Sequence, residues 1–102
     1  IGQKVINEKK GVQGQYIGLI KLPKKLIKNV KAELIKLSKK GNIDKIRFEK
    51  AYLTDFLNYL IKQGYRIKPI FLDHEWIEID TVRDYKSMNT FKRLKKLEKY
   101  KI

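Results

Sequence analysis

Cysteine is absent from these 102 residues, which excludes a disulfide framework and a thiolate metal site. Small secreted domains often depend on such crosslinks, so their absence favours a reducing compartment. Long apolar runs are missing as well. Tyr16-Ile17-Gly18-Leu19-Ile20 is typical of the short runs present, whereas a membrane-spanning helix needs about 20 apolar residues. The N-terminal residues also lack the charged-then-apolar order of a secretion signal. A soluble, cytoplasmic protein with no membrane partner is expected. Arginine is scarce: it occupies positions 47, 66, 83 and 93, and the remaining cations are all lysine.

What is present in excess is positive charge. The formal net charge is +14, which makes nucleic acid the first partner to consider. Two features weigh against it. Recognition of base edges and phosphate forks leans on arginine, and the lysines are spread along the whole chain. A small lysine-rich RNA- or DNA-binding module is therefore the alternative reading, not the leading one. The acids are distributed differently: five of the eleven fall between positions 73 and 84 (Asp73, Glu75, Glu78, Asp80 and Asp84).

Hydrophobic residues make up 42% of the chain, enough for one packed core. Residues 1–6, with Val5 and Ile6, fit a strand or strand end, and residues 7–14, with Gly11 and Gly14, a loop. Residues 15–22 fit a largely buried strand with Gly18 inside it, and a glycine there marks a bulge or a close approach. Pro23 suits the first turn of a helix. Leu26, Ile27, Val30, Leu34 and Leu37 then follow at helical spacing up to Gly41.

A second helix is expected from about Ile46 to Gln63, with Leu53, Phe56, Leu57, Leu60 and Ile61 on its core face. Residues 65–72 fit a strand, with Pro69 placing it at an edge or an end. Asp73-His74-Glu75 is a turn, and 76–80 a short strand. A last helix begins after Thr81, carrying Val82, Tyr85, Met88, Leu94 and Leu97 as an apolar stripe. Thr81 followed by Asp84 has the spacing of a capping box. The order is mixed α/β, in one segment spanning 1–102 with no linker.

In a strand, Trp76, Glu78 and Asp80 share one face. Asp80 would stand where that strand ends and a helix begins. Ligands of open α/β sheets bind at such strand ends, and the free amides of the next helix favour anions. The Asp80 carboxylate can bond the amides of the following helix or bind a hard cation, and Thr81, which has the look of the N-cap, favours the second. Mg2+ takes one or two carboxylates together with substrate phosphate oxygens.

Three stretches carry a family resemblance. Trp76-Ile77-Glu78-Ile79-Asp80-Thr81-Val82-Arg83-Asp84-Tyr85 resembles the closing signature of cytidylyltransferases acting on phosphocholine, phosphonates or sugar phosphates. Phe48-Glu49-Lys50-Ala51-Tyr52-Leu53-Thr54-Asp55 resembles a second signature of that group, and Gly14-Gln15-Tyr16-Ile17-Gly18-Leu19 a third. The resemblance implies the C-terminal portion of a Rossmann-like, glycosyltransferase-A-like nucleotidyltransferase fold, a mixed sheet with flanking helices. It implies CTP and a phosphorylated small molecule as partners, Mg2+ as cofactor, and pyrophosphate as leaving group. A homo-oligomer is compatible with it.

By resemblance, Asp80 is one of two metal-binding aspartates and Glu78 its neighbour. Gln15, Tyr16 and Gly18 line the acceptor side. From the residues themselves, Lys50 either reaches phosphate or is one more solvated lysine, and Trp76 either packs as core or flanks the acceptor, where its ring could attract a cationic head group such as choline. The family often has Glu where Gln15 stands, and Gly-Gly where His74-Glu75 stands. The family's glycine-rich phosphate loop and its first metal aspartate have no counterpart here. The expectation is a piece of a longer enzyme, or a shortened copy, that does not turn over by itself. A non-catalytic remnant of the same fold is the third reading.

Overall fold

The structure, a computed structural model, describes residues 13–73 and 76–100. The strand expected at 1–6, most of the following loop and the His74-Glu75 turn lie outside the described residues. The chain divides into two compact units, Ile1–Lys68 and Pro69–Ile102.

In the first unit, helix α1 (Lys24–Lys40) begins at Pro23, whose carbonyl accepts from the Leu26 N–H at 2.9 Å. Proline's fixed φ and missing N–H cost nothing at a helix start. Leu26 and Val30 are half-buried and Leu37 is buried, one face at helical spacing. The helix ends at Gly41, whose φ of 88° is left-handed and whose N–H donates to the Leu37 carbonyl at 2.9 Å. Glycine takes that conformation without a Cβ penalty.

A two-residue hairpin follows. Strand β1 (Asn42–Ile43) pairs antiparallel with β2 (Ile46–Arg47), Asn42 opposite Arg47 and Ile43 opposite Ile46. Asp44, at φ 51°, turns the chain, a conformation aspartate tolerates better than most residues, and its carboxylate pairs with Lys62. After a 3-10 turn at Phe48–Lys50, helix α2 (Leu53–Lys62) begins with the Asp55 carboxylate accepting from the Tyr52 N–H at 2.8 Å.

The core consists of Leu37, Ile43, Phe56, Leu57, Tyr59 and Leu60, with Tyr16, Val30, Phe48, Ala51 and Tyr65 packed around it. Tyr59 donates its hydroxyl hydrogen to Glu33 Oε2 at 2.8 Å, joining α2 to α1.

The second helix is thus shorter than its periodicity suggests. Ile46 and Phe48 fit the helical spacing, but they belong to the hairpin and the 3-10 turn. The single sheet among the described residues is the β1–β2 pair. Residues 15–22, 65–72 and 76–80 have the composition of strands but no ladder partner among the described residues. A strand exists only where a neighbour completes its hydrogen bonds, which side-chain alternation alone does not supply.

In the second unit, residues 76–80 lead into α3 (Val82–Lys86) and α4 (Met88–Leu97), with a 3-10 turn at Glu98–Tyr100. The expected last helix is therefore two. Ser87 is non-helical (φ −72°, ψ 143°) and caps α4, its Oγ accepting from the Thr90 N–H at 3.2 Å. Thr90 is buried and donates its hydroxyl hydrogen to the Asp84 carbonyl, which fastens α4 to α3. Val82, Tyr85, Met88 and Leu94 are exposed and Leu97 is half-buried, so the expected apolar stripe forms no buried face. No helix among the described residues is long and apolar enough to cross a membrane.

Candidate functional site

The junction after Asp80 is organised by its neighbours. Thr81 is the N-cap of α3, and its Oγ1 accepts from the Asp84 N–H at 3.1 Å. The Asp84 carboxylate reaches back. Its Oδ2 accepts from the Thr81 N–H at 2.9 Å, from the Thr81 hydroxyl at 2.8 Å and from the Asp80 N–H at 3.3 Å. The Thr81 hydroxyl and N–H hold the Asp84 carboxyl below the usual aspartate range, because they bond the charged form.

Asp84 therefore takes up the amides at the junction. The Asp80 side chain is exposed and has no bonding partner among the described residues. That is the arrangement a metal-binding carboxylate needs, and it leaves Asp80 out of the capping role.

Glu78 is exposed, and of the two residues that alternate with it Ile77 is half-buried and Ile79 exposed. Trp76 is half-buried, and the guanidinium of Arg93 on α4 lies over its ring, 5.4 Å from the centroid. The ring face considered for a cationic head group thus already holds a cation. Arg93 was not among the expected site residues. The signal for it was present: arginine is rare in this lysine-dominated chain, and its fork does what lysine's point charge does not.

The other expected residues lie in the first unit. Gln15 is exposed, and so is Lys50 in the 3-10 turn. The Tyr16 ring packs against the core, and its hydroxyl is buried without a hydrogen-bond partner among the described residues. Gly18 has φ 86°, and a Cβ built there would meet nothing within 4 Å. The glycine is required by backbone conformation and not by a close approach. Asp55, inside the second signature, is used as a local cap.

Against this geometry, the chain is 34% identical over 73 residues to CTP:phosphoglutamine cytidylyltransferase of Campylobacter jejuni. This is a cytidylyltransferase-like relationship. The matched stretch is 72% of this chain and 29% of that protein, so the chain spans less than a third of the curated relative it matches. No family model matches the chain, and no solved structure does.

Proposed function

We propose that this chain is the C-terminal part of a nucleotidyltransferase that moves a cytidylyl group from CTP onto a phosphorylated small molecule. The observation that carries the reading is the 73-residue similarity to a cytidylyltransferase. The free carboxylate of Asp80, ahead of a cap that does not use it, supports the reading. The acceptor would be phosphocholine, a phosphonate, a sugar phosphate or, as in the relative's name, phosphoglutamine. A phosphate or phosphonate oxygen of the acceptor attacks the α-phosphorus of CTP. A new P–O bond forms there, the bond to the bridging oxygen breaks, and pyrophosphate leaves.

Such a reaction needs positioning and charge neutralisation more than proton transfer. The donor set fits Mg2+ in part. Asp80 offers hard oxygen ligands, with Glu78 two residues away, and among the described residues no three candidate ligands come together. One or two carboxylates completed by phosphate oxygens is the usual Mg2+ arrangement. Asp80, with Glu78 beside it, would hold the ion, and the bound ion would offset phosphate charge.

The test uses the product of the complete reading frame, CTP, Mg2+ and a panel of phosphorylated acceptors, with pyrophosphate release as readout. Asp80→Asn should lower kcat/KM by about a hundredfold or more, since metal stabilisation of transition-state charge is worth several kcal/mol. The melting temperature should stay near that of the wild type. Wild-type turnover by this variant removes the metal role from Asp80. No CTP-dependent pyrophosphate release with any acceptor ends the transferase reading.

A further inference from the structure

Resting on that reading, we infer that Arg93, held over Trp76, binds an oxyanion of the acceptor, a phosphate or carboxylate, and that the acceptor group placed against Trp76 is not a quaternary ammonium. Four observations carry this. The guanidinium lies 5.4 Å from the centre of the Trp76 ring, and both residues are half-buried. Stacking against an aromatic face holds the guanidinium on that side and leaves its charge in place. None of its five N–H donors meets an oxygen among the described residues, and none is sealed from solvent. A guanidinium fixed on one side, with its donors open among the described residues, is pre-organised for a carboxylate or phosphate fork.

Charge decides against the ammonium. A second cation on the same indole would sit beside Arg93, and like charges a few ångströms apart repel, which offsets what the aromatic face returns to an added cation. Placement decides in favour of the acceptor. Asp80 lies four steps along the chain from Trp76, an extended span of at most about 14 Å. One phosphorylated small molecule joined to a nucleotide phosphate at Asp80 can reach both.

Trp76 is the only tryptophan in the 102 residues, so its fluorescence reports on this position alone. Inorganic phosphate titrated into the 102-residue chain should change that emission saturably, and tetramethylammonium should not. Arg93→Gln should raise the phosphate dissociation constant about tenfold or more, the loss expected for a charge-assisted fork. Lys92→Gln, which removes the same charge one residue earlier, should raise it less than about twofold, as for an exposed ion. Arg93→Lys, with helix content checked by circular dichroism, keeps the charge without the fork and should fall between wild type and Arg93→Gln.

In the product of the complete reading frame, Arg93→Gln should raise the KM for the acceptor and leave that for CTP unchanged. Saturable quenching by tetramethylammonium, equal phosphate binding by wild type and Arg93→Gln, or a raised KM for CTP alone would each overturn the inference. If no turnover is found while phosphate binding still depends on Arg93, the transferase reading fails and the anion site stands.

Discussion

Replacing Tyr59 with phenylalanine removes one buried oxygen from the first unit, and with it the side-chain bond between α1 and α2. Tyr59 is 8% exposed, and its hydroxyl lies 2.8 Å from Glu33 Oε2. Hydrogen bonds to charged groups contribute about 1.5–3 kcal/mol. Glu33 is half-buried, so water can replace part of the lost bond, and the lower end applies: a loss of about 1.5 kcal/mol. With a urea slope near 1 kcal/mol per molar for a small chain, the midpoint should fall by roughly 1.5 M.

The same geometry governs titration. The bond to Glu33, then burial, then the nearby negative charge push the Tyr59 hydroxyl above the ordinary tyrosine value. Its contribution to stability is therefore whole below an unfolded pKa of about 10 and is lost as the pH rises through the folded one. The assay is tyrosinate absorbance against pH. The chain has six tyrosines, and Tyr59→Phe should delete a late-titrating one. A double-mutant cycle with Glu33→Ala should give a coupling energy of about 1 kcal/mol. Strict additivity, or loss of an ordinarily titrating tyrosine, would refute the reasoning.

Thr81→Ala should cost about 1 kcal/mol through the lost cap, read by urea denaturation. Because the Asp84 carboxyl is held low in the folded state, the stability it adds is present above the ordinary aspartate value of about 3.9 and is lost as pH falls through the folded pKa. The variant should lose the part of that acid limb that the Thr81 hydroxyl supplies and keep the part that the Thr81 and Asp80 N–H groups supply. Gly18→Ala should destabilise by about 1–2 kcal/mol, because φ 86° disfavours a Cβ even where space is open; an unchanged urea midpoint would show that another conformation prevails there. Tyr16→Phe should be neutral or stabilising by up to about 1 kcal/mol, since it removes a buried hydroxyl without a partner among the described residues. A clear loss on thermal melting would reveal a partner for that hydroxyl.

What could be read in advance follows from the range of the forces involved. Pro23, Gly41 and the Thr81–Asp84 box act within one turn of chain, and the structure places each where local rules put it. The freedom of Asp80 followed from the same rules, since a cap supplied by Thr81 and Asp84 leaves the preceding carboxylate unused. Ser87 and Thr90 form a second cap of the same kind, hidden because the apolar spacing runs unbroken across it. Residues 15–22 and 76–80 were harder, because β-composition describes a side chain's preference and not whether a neighbouring strand is there to pair. Tyr16 was expected at a binding site, and its ring packs against the core; an aromatic residue between two nearby glycines, Gly14 and Gly18, suits either role. The Trp76–Arg93 contact joins residues far apart in sequence, and no local pattern encodes it.

Helix α1 carries lysines at 24, 25, 28 and 31, and again at 36, 39 and 40, with Glu33 its sole acid. Ammonium groups three and four residues apart repel one another along the rod. The segment is thus coiled against its own electrostatics and stays wound because Leu37, Val30 and Glu33 have somewhere to rest. Ionic strength then acts directly on this element: added electrolyte screens the repulsion and tightens the helix, so the same chain is more sturdy in brine than in dilute buffer.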